Sequence, residues 1–348
     1  MKKVLLGMSG GTDSSVSAIL LKEQGYEVIG ITFRFYDRDE NTQHLKDAQE
    51  LAAKLGIEHR IFDARETFKN RILDYFVSEY MSGRTPVPCV ICNNELKWKL
   101  LYDIAQEEEI DYISTGHYIQ TTEVDGKHYI IQGTDPEKDQ SFFMWGLSDE
   151  IIAKMLLPLG SLSKSDVRRI AAERGFERAA TKKDSLGVCF CPGDYRPFLK
   201  QFVDPSLIKP GRFVDINGKF LAKHEGYPFY TVGQRRGLGI NFQHAVFVKE
   251  IDAATNTIVL AELKDMYHTR MLLKDTCFIN PDDIQNLPLT CKIRYRKQEN
   301  SCTIRLNEDR TAEVTFDEPL HAIAPGQSAV FYHKNRVIGG GIIVSAAD

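Results

Sequence analysis

Two groups of residues in this 348-residue chain have the types and spacing to do chemistry. The first is Gly7-Met8-Ser9-Gly10-Gly11-Thr12-Asp13-Ser14-Ser15, which follows the apolar run Val4-Leu5-Leu6 and precedes a helical pattern. Glycines there let backbone N–H groups approach an anion. The helix start adds partial positive charge, and the hydroxyls add donors. No Gly-Lys-Ser/Thr is present, so this is not the usual phosphate loop of kinases. The reading is a pyrophosphate cradle, with ATP as ligand and Mg2+ as its counter-ion.

The second group is the thiols: Cys89, Cys92, Cys189, Cys191, Cys277, Cys291 and Cys302. Their odd number in a large chain argues against a disulfide framework and for catalytic or metal-binding thiols. Cys89 and Cys92 form Cys-x-x-Cys. Together with Cys189 they could hold an iron–sulfur cluster such as [4Fe-4S], or act as redox thiols. Cys191 could complete a zinc site. Cys277, Cys291 and Cys302 sit in strand-rich sequence and are expected to be packing residues.

The elements that must position these groups read as follows. Val28–Phe33, His59–Asp63 and Asp111–Thr115 are strands. Residues 14–24, 43–55 and 66–80 are helices, and Gly25 and Gly56 close the first two. Alternation of this kind predicts an α/β fold with a doubly wound parallel sheet. Ser163 is an N-cap with Asp166 three residues later, and Gly175 is the stop. Beyond Asp204-Pro205 short strands and turns dominate, including a hairpin about Asn217-Gly218. A second break near 266–274 leads into a small antiparallel barrel. The expected domains are 1–203 for the catalytic sheet, 204–268 for a β-rich centre and 269–348 for the barrel.

Net charge is −4, from 44 Lys and Arg against 48 Asp and Glu, which disfavours a generic nucleic-acid coat. No apolar run reaches the roughly 18 residues of a membrane span, and the amino-terminal apolar stretch is too short for a signal peptide. A cytoplasmic protein is expected. Lys292, Arg294 and Arg296 alternate, so on a strand they would share one face suited to phosphates, with Tyr295 at its edge.

Ser-Gly-Gly-Thr-Asp-Ser resembles the loop of the ATP pyrophosphatases. Three further segments narrow the likeness: Val87-Pro88-Cys89-Val90-Ile91-Cys92-Asn93, Thr115-Gly116-His117 with Lys138-Asp139-Gln140, and Lys183–Phe190. With Tyr230–Gly239, they make the chain resemble the tRNA-specific 2-thiouridylases over essentially its whole length. The resemblance implies ATP-dependent 2-thiolation of a wobble uridine through an adenylated base, with Cys92 as nucleophile and Cys189 as persulfide carrier. It implies ATP contacts at Gly7, Met8, Ser9, Gly10, Gly11, Thr12, Asp13, Ser14, Phe33 and Gly116. It implies tRNA contacts at Val87, Pro88, Cys89, His117, Lys138, Asp139, Gln140, Arg294, Tyr295 and Gln327, with the Arg235-Arg236 turn nearby. The partners implied are a tRNA and a cysteine desulfurase or sulfur-relay protein. The family pattern Asn-Pro-Asp-x-x-Cys is altered here, because Val87 replaces the asparagine and Cys89 the aspartate. The competing readings are a small-molecule enzyme of the same superfamily and a non-catalytic tRNA-binding paralogue.

Overall fold

The computed structural model describes residues 1–37, 42–176, 187–191, 193–240, 242, 244–295 and 299–347. Residues 183–186 of the third motif and Arg296 therefore lie outside the described residues. The chain forms two compact units.

The first unit comprises Met1–Ile72, Cys89–Phe190 and Asn335–Ile338. Its centre is a five-stranded parallel sheet in the order β3-β2-β1-β4-β7. The strands are β1 (Lys3–Gly7), β2 (Glu27–Arg34), β3 (Glu58–Asp63), β4 (Tyr112–Thr115) and β7 (Met155–Leu156). Val4, Leu5 and Leu6 are wholly buried, as a strand covered on both faces must be. β1 pairs with β2 on one side and β4 on the other, Gly7 standing opposite Ile31 and Thr115. The strand order thus reverses between β1 and β4, and the crevice at their carboxyl ends is the place where open α/β sheets bind ligands.

Helix α1 (Thr12–Glu23) leaves β1 through the glycine loop and begins two residues earlier than its apolar pattern predicts. Thr12, Ser14, Ser15 and Ser17 are buried along with its apolar residues, so hydrophobic periodicity underestimates its amino-terminal turn. Gly25 ends it in the left-handed conformation, φ 87°, and returns its N–H to the Lys22 carbonyl. Helix α2 (Gln43–Leu55) ends at Gly56 in the same way. Helix α3 (Trp98–Glu107) is preceded by a π-helical turn, Cys92–Lys97. A hairpin of β5 (Ile119–Val124) and β6 (Lys127–Gln132) follows β4. Helix α4 (Lys164–Glu173) carries the expected capping box, the Ser163 hydroxyl and Asp166 satisfying each other's backbone N–H groups. It packs on α1 through Val16, Val167 and Ala171, with Tyr118 and Leu159 completing the cluster.

The second unit comprises Leu73–Pro88, Cys191–Lys334 and Gly339–Asp348. After helix α5 (Tyr195–Phe202) comes a four-stranded sheet in the order β10-β11-β8-β9. These are β8 (Gly211–Val214), β9 (Phe220–His224), β10 (Phe247–Asp252) and β11 (Thr257–Ala261). The β8–β9 hairpin turns at Asn217-Gly218 as expected, Gly218 taking φ 81°. The remaining strands are β12 (Tyr267–Phe278), β13 (Leu289–Lys292), β14 (Asn300–Leu306), β15 (Ala312–His321), β16 (Ser328–His333) and β17 (Arg336–Ala347). They form a six-stranded antiparallel barrel closed by the β12–β17 pairing. Met271, Leu273, Cys291, Val314, Phe331 and Ile343 fill it, and Cys302 is buried as well, so these two thiols are core residues. Among the described residues no helix is long and apolar enough to cross a membrane.

Candidate active site

The glycine loop leaves an uncapped helix start. Gly11 is the N-cap of α1, in extended conformation, and no side chain caps the helix. Gly10 adopts φ 66°, and a Cβ there would stand 2.5 Å from the His44 carbonyl oxygen. Only glycine satisfies both conditions. The serine hydroxyls turn inward: Ser15 Oγ donates to the Gly11 carbonyl at 2.7 Å, and Ser14 Oγ accepts from the Ser9 N–H at 3.2 Å. A Cβ on Gly116 would stand 2.7 Å from Ser14 N, so the end of β4 rests directly on the first turn of α1. Met8 is buried and its carbonyl accepts from Thr32 Oγ1 at 2.9 Å. Phe33, half-buried at the end of β2, stacks on Phe35 with ring centroids 5.5 Å apart.

Asp13 is held by two side chains that sequence reading missed. Lys164 Nζ reaches both carboxylate oxygens, at 2.7 and 2.9 Å, and Tyr118 OH donates to Oδ1 at 2.7 Å. One signal was available: Lys164 directly follows the N-cap Ser163, where a cation opposes the dipole of its own helix.

The three candidate thiols share one electrostatic field in the first unit. Cys92 is buried, Cys89 half-buried and Cys189 exposed. Burial pushes the Cys92 thiol up to about 12 and Cys89 up to about 11. Cys189 acts on both of them, while the Lys97 ammonium pulls all three down. Lys97 donates to Asn93 Oδ1 at 3.1 Å, and Asn93 Nδ2 donates to the Cys89 carbonyl at 2.9 Å. In an α-helix, residues five apart point about 140° away from each other. The segment Cys92–Lys97 is a π-turn, whose wider i→i+5 winding brings residues five apart closer to one face. Cys189 is anchored by its neighbour Phe190, which is 2% exposed and meets Phe68 edge-on at 5.8 Å.

At neutral pH Cys89 and Cys92 are therefore thiols rather than thiolates until a ligand changes their surroundings. Among the described residues no three His, Cys, Asp or Glu side chains are gathered to hold a metal ion. Cys89, Cys92 and Cys189 thus do not form a ready-made ligand set for a cluster, and neither do these thiols with Cys191 for zinc.

His117 is buried, with Nδ1 2.5 Å from Thr115 Oγ1 and its ring 5.7 Å from Trp98. Burial, then Lys97, hold it well below its ordinary value, so it is neutral. Asp139 is turned into the protein, accepting from the Gly133 and Ser141 N–H groups at 3.1 Å and from Ser141 Oγ at 2.9 Å. Gln140 Oε1 accepts from the Tyr118 N–H at 2.9 Å. Lys138 precedes them in the same turn, its N–H on the Asp135 carbonyl.

The expected basic strand face is corrected. β13 ends at Lys292, paired with Val330, and residues 293–295 bend away. Ile293 is buried at the bend, Lys292 lies over the Tyr332 ring at 4.6 Å, and Arg294 donates to the Ala322 carbonyl at 3.2 Å. The ladder stops too early for alternation to align the cations; Tyr295 is 44% exposed. In the same unit, Gln327 Nε2 donates to the Thr85 carbonyl at 2.8 Å, tying down the segment that carries Val87 and Pro88. Arg235 and Arg236 are exposed.

Three family models match the chain. They are described as the tRNA methyl transferase HUP domain over residues 2–193, its PRC-barrel domain over 196–262, and an aminomethyltransferase β-barrel domain over 268–343. A tRNA-specific 2-thiouridylase of Phocaeicola vulgatus is 56% identical over 343 residues, covering 98% of each chain. One from Bacteroides fragilis is 54% identical, covering 98% of this chain and 97% of its own. One from Amoebophilus asiaticus is 42% identical, covering 99% and 96%. By that likeness over nearly its whole length, the chain belongs to the tRNA-specific 2-thiouridylase family.

Proposed function

We propose that the protein installs sulfur at C2 of the wobble uridine of tRNA, using ATP. The observation that carries this reading is that Cys92 and Cys189, far apart in sequence, belong to the same folding unit as the uncapped start of α1. Methyl transfer, the activity named in two of the domain descriptions, has no use for that pair.

The uridine O2 attacks the α-phosphate of ATP, which enters as its magnesium complex, and pyrophosphate leaves. A persulfide on Cys189, loaded by a cysteine desulfurase or relay protein, attacks C2 through its outer sulfur, and AMP leaves. The Cys92 thiolate then attacks Cys189 Sγ. The outer sulfur stays on C2 with the bond electrons, and a Cys92–Cys189 disulfide remains for an external thiol to reduce. The base must be extruded for this, and Val87, Pro88, His117 and the Lys138–Gln140 turn are the proposed surroundings of the anticodon. Arg294, Tyr295 and Gln327 are the proposed contacts of the barrel with tRNA.

Cys189→Ser decides the reading. With tRNA present, the variant should still release pyrophosphate from ATP but form no 2-thiouridine by nucleoside mass spectrometry. Full thiolation by the variant overturns the assignment of the sulfur carrier.

A further inference from the structure

We infer that Lys164 is a further residue of the nucleotide site, one that acts by neutralising Asp13 so that the loop can accept an anionic triphosphate. The inference rests on reading Gly7–Ser15 as the phosphate-binding loop.

Asp13 is the one anionic side chain between Gly7 and Ser17. It occupies the first turn of α1, where the helix dipole favours a negative charge. That is also where the triphosphate would sit, so the carboxylate competes with the ligand for the same partial positive charge. Left unpaired, it would repel the incoming phosphates.

Lys164 removes that conflict. Its ammonium lies against both Asp13 oxygens, and the lysine is only 8% exposed. Tyr118 OH adds a third donor, and its ring lies 5.7 Å from the same ammonium. The placement is enforced from several sides. The Lys164 N–H donates to Asp135 Oδ2 at 3.0 Å, and the capping box fixes the turn from which the side chain emerges. The Val16, Tyr118, Leu159, Val167, Ala171 cluster holds α4 to α1.

The lysine of this pair is buried and the Asp13 side chain is 34% exposed, and an ion pair of that kind contributes little to stability. A lysine at the start of a helix also opposes that helix's dipole. Two costs at one residue, directed at the carboxylate of the phosphate loop, indicate a role in charge compensation. Lys164 is thus a positioning residue that acts through Asp13.

The test is equilibrium binding of ATP, pyrophosphate and adenosine in EDTA, which keeps any magnesium contact of Asp13 out of the comparison. The wild-type protein should bind all three. Lys164→Met should weaken ATP and pyrophosphate by about 30-fold while leaving adenosine within about twofold, from the usual loss on leaving a carboxylate unpaired beside an anionic ligand. The double variant D13N/K164M, which removes both charges, should recover ATP binding to within about fivefold of wild type. It also keeps the test decisive should Lys164→Met alone fail to fold. Unchanged ATP affinity in Lys164→Met overturns the inference, as does a double variant that binds adenosine normally but ATP as weakly as Lys164→Met. A wild-type protein that binds adenosine but neither anion overturns the underlying reading of the loop instead.

Discussion

The side-chain amide of Gln327 donates to the Thr85 carbonyl across 242 positions of sequence, at 2.8 Å. Gly326 makes the approach possible, because a Cβ there would stand 2.9 Å from Thr85 N, and its φ is 88°. The Thr85 N–H returns a bond to the Pro325 carbonyl at 2.8 Å. The segment Arg84–Pro88 is thereby strapped down by the barrel sequence of its own unit.

Gln327→Ala should loosen that strap. One neutral hydrogen bond is worth about 1 kcal/mol, so KM for tRNA should rise about fivefold while KM for ATP stays unchanged. Steady-state thiolation with each substrate varied separately checks it, and a shift in the ATP constant would contradict the assignment.

Cys92→Ser should stall the reaction one step later than Cys189→Ser. The uridine would remain joined to Cys189 through the transferred sulfur, because nothing attacks the Cys189 sulfur. A covalent protein–tRNA species, released by dithiothreitol, should appear on a denaturing gel, with turnover below about 1% of wild type. Normal turnover would remove Cys92 from the mechanism.

The raised Cys89 and Cys92 thiols make stability depend on pH in a definite direction. Both are held above their ordinary value of 9.0, so the unfolded chain loses these protons first. Their contribution is complete below pH 9 and is lost as pH rises toward about 11 for Cys89 and about 12 for Cys92. Denaturant midpoints between pH 7.5 and 10.5 should fall more steeply for wild type than for C89A/C92A. Parallel curves would contradict the burial argument.

Gly116→Ala should damage the nucleotide site from outside the loop. The new methyl group would stand 2.7 Å from Ser14 N and 2.8 Å from the Asp13 carbonyl carbon. Backbone on both sides must give way, at a cost of about 1–3 kcal/mol. A lower melting temperature together with at least about a tenfold rise in KM for ATP is expected. An alanine variant with wild-type ATP kinetics would show that β4 does not press on α1.

The thiol geometry also predicts the metal content. Because Cys89, Cys92 and Cys189 are not gathered as a ligand set, protein purified without oxygen should thiolate tRNA with no bound iron. Elemental and sulfide analysis beside the activity assay is the measurement. Four irons per chain, with activity lost on chelation, would establish a cluster instead.

Much of the first unit was legible in the chain alone, because its signals are local. Val4–Leu6 must be a covered strand, the glycines after it permit the turn, and Gly25 and Gly56 stop the helices that follow. The Ser163–Asp166 capping box and the Asn217-Gly218 hairpin are likewise decided within a few residues by backbone hydrogen bonding and φ. The pairing of Cys92 with Cys189 came from resemblance rather than from spacing.

Tertiary structure decided the rest. Lys164 meets Asp13 across 151 positions because α4 packs on α1, which no local pattern encodes. Lys97 pulls the Cys92 thiol down from the end of a π-turn for which the sequence reading had no element. Lys292 and Arg294 do not share a strand face because β13 ends at Lys292, paired with Val330, and Arg294 lies in the bend beyond it. Local chemistry therefore specified the loop and its helix, while long-range packing specified which charges came to face each other there.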